Sequence, residues 1–155
     1  MKHTGVSEIT YAARILEVEE GFSSYSEMGS FGEIENVRVS QDWMERDASV
    51  LAYDFWVSNK TGFYKNLSVI RKAVCICIAY QLGFKGFLNF KNALIHLNDG
   101  NFAGAAIELM DSKWARASTF RAERYAEMIE TGEIHEFYMD SWDQPSNREI
   151  RNGYK

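Results

Sequence analysis

The sequence has no long apolar runs and almost no proline. Pro145 is the only proline among 155 residues, so long helices are permitted along most of the chain. No run of about 18 apolar residues occurs, so no membrane-spanning helix is predicted. The N-terminal stretch MKHTGVSEITYAARILEVEE also lacks the continuous apolar core of a signal peptide. We therefore expect a soluble protein, made in the cytoplasm and not stably inserted in a membrane.

Cysteine is scarce as well. Cys75 and Cys77 are the only two, and side chains two positions apart on a helix point in different directions. An ordinary disulfide between them is therefore disfavoured, and no matching set of Cys and His residues completes a zinc site. We expect two buried free thiols, a reducing compartment, and neither a metal nor a cofactor.

A surplus of positive charge is also missing. The formal net charge is −5 and the isoelectric point about 5.2. This balance argues against nucleic acid, anionic membranes and other polyanions as partners. A local basic set could still attract an anionic polymer, and its members are Arg71, Lys72, Lys85, Lys91, Lys113 and Arg116.

What the sequence does contain is helical periodicity. A first helix is predicted over 7–20, because Ser7 is a suitable N-cap and Gly21 a suitable stop. Ala12 and Glu20 fall on its apolar face at three- and four-residue steps. Glu20 therefore stands at the end of a buried face, next to the helix terminus.

A mainly helical domain follows from the rest of the pattern. Residues 21–39 are rich in glycine and serine, and EIENVRV gives a weak strand signal, so a small, shortened β/loop lobe is predicted there. A helical lobe is predicted over 40–132, and its helices cover 40 to the break at Gly62, 68–83, 90–97, 101–114 and 118–132. The helix at 68–83 is apolar almost all round and is predicted to be the buried centre. We expect one domain over 1–132 and a C-terminal extension over 133–155.

The order of particular residues adds a family resemblance over 71–132. The motifs that carry it are Tyr80-Gln81-Leu82-Gly83, Gly86-Phe87, Ala105-Ala106, Ser112-Lys113-Trp114, Arg121-Ala122 and Thr131-Gly132. They resemble, in order and in much of their spacing, the helical lobe of the phage-type lysozymes (endolysins). The stretch ILEVEEG looks like the end of that family's first helix, where an acidic pair precedes glycine. The resemblance implies an α+β lysozyme-like fold.

The resemblance also implies a function and a site. The activity would be a muramidase that cleaves the β-1,4 bond of bacterial peptidoglycan, as a monomer released from the host cytoplasm by a partner that opens the membrane. The second acid of the pair, Glu20, would be the catalytic acid, and Arg121 the arginine that pairs with it. Tyr25 and Glu27 can stand for the family's tyrosine-x-acid step.

Glycoside hydrolysis explains why these residue types are needed. One carboxylic acid protonates the leaving oxygen, and a second group holds or activates the nucleophile. Partial burial and a helix C-terminus both raise the pKa of a carboxyl, as expected for Glu20, while a neighbouring arginine limits that rise. Glu27 would orient water, with Glu33 and Glu35 as alternatives.

Two alternative roles are considered for each of three further residues. Gln81 could bind an N-acetyl group in the cleft or satisfy backbone groups at a helix end. Tyr80 and Trp114 could line the cleft, but burial in the core is the expected state for both.

A second interpretation of the whole chain comes from the family features that this sequence lacks. GEIENV, residues 32–37, stands where the family has Thr-Ile-Gly-x-Gly-His, and the lobe at 21–39 is much shorter than the family's. The alternative is a catalytically inactive lysozyme-fold protein of phage origin, with a binding or structural role and a protein partner.

Overall fold

The described part of this computed structural model consists of Ala12 and residues 39–138, with side chains described at Ala12 and 48–138. We number its helices from the first continuous one: α1 (Val39–Val57), α2 (Val69–Leu82), α3 (Phe84–Phe87), α4 (Lys91–Asn98), α5 (Phe102–Met110), α6 (Lys113–Ala117) and α7 (Thr119–Thr131). Short 3₁₀ turns cover Gly62–Asn66 and Glu136–Tyr138. No strand occurs within 39–138, so the mainly helical prediction is confirmed. Residue 39 already belongs to α1, and the remainder of the predicted β/loop lobe lies outside the described residues.

Helix α2 is the centre of the fold, as its sequence predicts. Ser68 caps its start by accepting a hydrogen bond from the Arg71 amide at 3.3 Å. Every residue from Lys72 to Ala79 is buried, because helices surround this segment on all sides. Gly83 ends the helix at a φ of +81°, a conformation that glycine adopts without steric cost.

Aromatic rings link the outer helices around α2. Phe55 on α1 lies 4.9 Å from Phe87 and 5.1 Å from Tyr64, centroid to centroid. Further ring contacts continue the series from Phe87 to Phe90, Trp114, Tyr125 and Tyr138. Trp114 is 6% exposed, which confirms its predicted place in the core.

Arg71 joins three helices at the start of α2. Its Nε donates to the Ile129 carbonyl at 2.6 Å and its Nη2 to the Glu130 carbonyl at 2.8 Å. The guanidinium also lies over the Phe102 ring, 3.6 Å from the centroid. The last carbonyls of α7 have no partners within their own helix, so Arg71 satisfies two of them and holds α2, α5 and α7 together.

Two predictions about the basic set are therefore wrong. Arg71 is engaged with α7, and Lys72 is 6% exposed with its ammonium 5.5 Å from the centre of the Tyr64 ring. Neither side chain is placed to attract a polymer at the surface. The remaining members of the basic set are Lys85 on α3, Lys91 on α4, and Lys113 and Arg116 on α6.

The chain remains packed beyond Gly132. Tyr138 is buried, and Arg124 on α7 donates from Nε to its hydroxyl at 3.0 Å. The Arg124 guanidinium also lies 3.9 Å from the centre of the Phe137 ring. Residues 134–138 thus cover α7, although the predicted extension begins at 133.

Ala12, the described residue of the N-terminal segment, is helical and fully buried. This agrees with its predicted place on the inner face of the first helix. Within the described chain, no helix has the length and apolar character needed to cross a membrane.

Both thiols should resist modification in the folded protein. Cys75 and Cys77 are fully buried, and burial raises the pKa of the Cys75 thiol from 9.0 to about 12. We expect no reaction with a disulfide reagent at pH 8 under native conditions and reaction of both thiols in denaturant. The raised pKa also predicts that stability declines above pH 9, because the unfolded thiol then ionises while the folded one does not. Rapid labelling of the native protein would contradict this burial.

Replacing Arg71 tests the junction of α2, α5 and α7. Arg71→Lys keeps the charge but loses the forked geometry that reaches two carbonyls. We expect a loss of about 1–3 kcal/mol of unfolding free energy, measured by urea denaturation. Arg116→Lys, at an exposed position on α6, is the matched control and should change stability by less than about 0.5 kcal/mol. Equal effects of the two substitutions would show that Arg71 is not a structural junction.

Candidate active site

An open groove of about 760 Å³ lies where the end of α2, the start of α4 and the α5–α6 corner meet. Its apolar lining includes Leu82, Phe90 and Trp114, and its polar lining consists of Asn89, Lys91, Asn92, Glu108, Asp111, Ser112 and Lys113. Aromatic and aliphatic surface next to a few amides and charges is the usual composition of a binding site.

One residue, Ser112, stabilises the turn between α5 and α6. The sequence predicts a single helix over 101–114, but the helix breaks at Asp111 and Ser112. The Ser112 hydroxyl donates to the Leu109 carbonyl at 2.6 Å and accepts from the Ala115 amide at 3.1 Å. It therefore closes α5 and caps α6 at once, and this turn directs Trp114 toward α2.

Trp114 and Gln81 meet across this corner. The indole Nε1 donates to the Gln81 side-chain oxygen at 3.1 Å. Gln81 is itself exposed and is not among the described residues that line the groove, whereas its partner Trp114 is. Gln81 was predicted either to bind an N-acetyl group or to satisfy backbone groups at the helix end. In the structure its side-chain oxygen accepts a hydrogen bond from the side chain of Trp114 rather than from a backbone group.

The charged side chains in the described lining of the groove are balanced. Lys91 and Lys113 supply two cations, and Glu108 and Asp111 supply two anions. Such a lining provides no net attraction for a strongly charged polymer. It suits a partner that carries amides, hydroxyls and both signs of charge.

The structure places some of the predicted site residues and not others. Arg121 is half-buried near the start of α7, and it is not among the described residues that line the groove. Tyr80 is 39% exposed at the end of α2, so its expected burial in the core is wrong. Glu20, Tyr25 and Glu27, with the alternatives Glu33 and Glu35, lie outside the described residues.

Several residues that line the groove were not predicted from the sequence. Asn89, Asn92 and Glu108 are polar residues on the flank of short helices, and nothing in their local pattern separates them from ordinary surface residues. Asn89 lies in the turn before α4 and Asn92 in its first turn, so no helical spacing relates the two.

Comparison with known proteins gives the family. "Probable T4-type lysozyme 1" of Dictyostelium discoideum is 34% identical to the chain over 128 residues, which are 81% of this chain and 75% of that protein. "Probable T4-type lysozyme 2" of the same organism is 30% identical over 127 residues, or 81% and 74% of the two chains. The chain belongs to the T4-type lysozyme family. No family model matches it.

Membership of the T4-type lysozymes confirms the resemblance to phage-type lysozymes read from residues 71–132. The motifs behind that resemblance coincide with structural features of the helical lobe. Gln81 and Trp114 form the hydrogen bond at the groove, and Gly83 and Gly132 end α2 and α7 with φ values of +81° and +75°. Of the residues in these motifs, the groove is lined by Leu82, Gly86, Ser112, Lys113 and Trp114.

Truncating Trp114 should test its double role as core and groove wall. Trp114→Ala removes a buried indole and its ring contacts with Phe90 and Tyr125, so we expect a loss of about 3–5 kcal/mol. The measurement is urea denaturation followed by circular dichroism. Phe120→Ala is the control, because Phe120 is 76% exposed and should cost less than about 0.5 kcal/mol. A loss below about 1 kcal/mol for Trp114→Ala would contradict the core assignment.

Proposed function

We propose that the protein is a muramidase-like glycoside hydrolase that acts on bacterial peptidoglycan. The observation that carries this proposal is the identity with two T4-type lysozymes over 81% of the chain. The groove supports it, because a glycan with peptide branches offers hydroxyls, amides and mixed charges to the amides and charged side chains that stand beside its apolar surface.

In this proposal Glu20 is the general acid. It follows Ala12 by two helical turns on one predicted face, and Ala12 is fully buried, which supports an inward-facing end for that helix. Glu20 protonates the leaving oxygen as the β-1,4 bond breaks, and Arg121 orients its carboxyl through a charge-assisted hydrogen bond.

The second catalytic group is proposed to be Glu27, which orients the attacking water at the sugar carbon. Tyr25 supports that segment, and Glu33 or Glu35 takes the role if the register differs. Gln81 and Tyr80, at the exposed end of α2, contact the glycan. The proposed setting is a phage that makes the enzyme in the host cytoplasm and releases it to the wall once the membrane is opened.

Replacing Glu20 tests the mechanism. Glu20→Gln removes the proton donor and keeps the shape of the side chain, so we expect loss of peptidoglycan clearance with unchanged folding. The assay follows the turbidity of chloroform-treated Gram-negative cells, with circular dichroism to check the fold. Glu19→Gln is the matched control, since it removes the adjacent carboxylate and should leave clearance close to that of the parent. Clearance by Glu20→Gln equal to that of the parent would rule out this assignment.

A second candidate function rests on the sequence between Gly21 and Ser40. The family's Thr-Ile-Gly-x-Gly-His segment is absent there, and GEIENV stands in its place. We propose as the alternative an inactive lysozyme-fold protein that binds another protein. The same assay separates the two, because this alternative predicts no clearance by the parent protein at any concentration.

A further inference from the structure

Three aromatic side chains connect the end of the described chain to the wall of the groove. Trp114 lines the groove. Tyr125 on α7 lies beside it, with the ring centroids 6.2 Å apart and the ring planes 26° from parallel. Tyr138 lies beside Tyr125, at 6.4 Å and 31°. The groove wall and the segment after α7 therefore share one neighbour, and that neighbour is fully buried.

Tyr138 is held by residues 134–138, which we call the C-terminal strap, and by α7. Its amide donates to the His135 carbonyl at 2.9 Å. The Phe137 amide donates to the His135 Nδ1 at 2.9 Å, so His135 closes the turn that carries the Tyr138 ring. The Tyr138 hydroxyl accepts from the Arg124 Nε at 3.0 Å. The ring, which is 5% exposed, is thus fixed both by its own turn and by α7.

The two ring neighbours of Trp114 differ in what supports them. Phe90, at a centroid distance of 6.0 Å, is itself a groove residue, whereas Tyr125 is covered by the strap. Side chains in a protein interior are packed as closely as in organic crystals, so a void beside Tyr125 is costly and shrinks when its neighbours move into it. Removing the Tyr138 ring creates such a void, and Tyr125 is the side chain that can shift toward it. Trp114 then loses the neighbour that holds it from inside the core.

We propose that Tyr138 is a positioning residue for the groove, because it holds Tyr125 against Trp114 and thereby fixes the indole in the groove wall. No strap residue is among the described residues that line the groove, so the strap acts only through the buried rings. The consequence for a glycan rests on the proposed function. A wall that is in place for only part of the time binds the same glycan less tightly, since binding must also reorder the wall.

The position of the indole can be measured without a ligand. Trp114 is one of four tryptophans, and its indole N–H signal in a proton–nitrogen correlation spectrum is assigned by its loss in Trp114→Phe. We expect Tyr138→Ala to shift and broaden this signal, because the indole then exchanges between positions. Tyr138→Phe keeps the ring and should leave the signal close to the parent's. Phe120→Ala is the matched control, since it removes an exposed ring from the same helix and should not move the signal.

A second substitution keeps the test valid if Tyr138→Ala does not fold. Tyr138→Leu retains apolar volume but not the flat ring beside Tyr125, so we expect a folded protein with a shifted indole signal. Circular dichroism and urea denaturation show whether each variant is folded.

Kinetics on solubilised peptidoglycan strands test the consequence for binding. We expect KM to rise roughly five- to tenfold in Tyr138→Ala, with kcat changed by less than about twofold, because a misplaced wall weakens the binding of substrate and transition state alike. Tyr138→Phe and Phe120→Ala should keep the parent's KM. A defect that only lowers the folded fraction would instead lower kcat and leave KM unchanged, so KM distinguishes positioning from simple loss of stability.

The results separate this inference from the proposed function. An indole signal that stays in place in folded Tyr138→Ala or Tyr138→Leu overturns the positioning role. A signal that moves while KM stays at the parent's value overturns the consequence for binding. A parent that is inactive on peptidoglycan overturns the muramidase proposal, and the indole signal then decides the positioning role by itself.

Discussion

The burial of α2 on every side is the constraint on which the described structure depends. A helix that is apolar all round gains stability only when other elements cover its whole circumference, and within the described chain α1, α3 and α7 pack against it. Ring contacts from Phe55 to Tyr138 join the covering elements to one another. Only the segment from Lys72 to Ala79 is buried throughout, so the two ends of α2 lie outside this cover.

The two ends of α2 have different tasks. At its start, Arg71 satisfies the last carbonyls of α7 and lies over Phe102, so this end serves stability. At its other end, Gly83 terminates the helix, Gln81 accepts a hydrogen bond from the Trp114 indole, and Leu82 lines the groove. Most of the remaining groove lining comes from the start of α4 and from the α5–α6 corner.

The groove also shows why net charge is a poor guide to the partner. The chain carries −5 overall, yet the part of the groove lining that the structure describes has two cations and two anions. Part of the basic set predicted from sequence is used inside the fold, by Arg71 at a helix end and by Lys72 beside Tyr64. What a partner meets is the local arrangement of side chains, which the total does not describe.

The sequence by itself determined the helical class, the buried centre and the family. Ser68 and Gly83 mark the ends of α2 through local backbone preferences, and the apolar run between them requires burial wherever the helix lies. Those signals are local, so they can be read along the chain. The motifs over 71–132 were sufficient to indicate the phage-type lysozymes for the same reason, since their order and spacing are properties of the chain alone.

Only the tertiary structure decided what surrounds the groove. The hydrogen bond from Trp114 to Gln81 spans 33 residues, and the sequence predicted neither this pairing nor the break at Ser112 that makes it possible. Tyr80 is exposed although its neighbours Ile78 and Ala79 are buried, because α2 leaves its cover at that turn. The periodicity of the sequence shows which side of a helix is apolar. Where the covering helices end depends on packing between distant parts of the chain. That packing decides which polar groups remain accessible to a ligand.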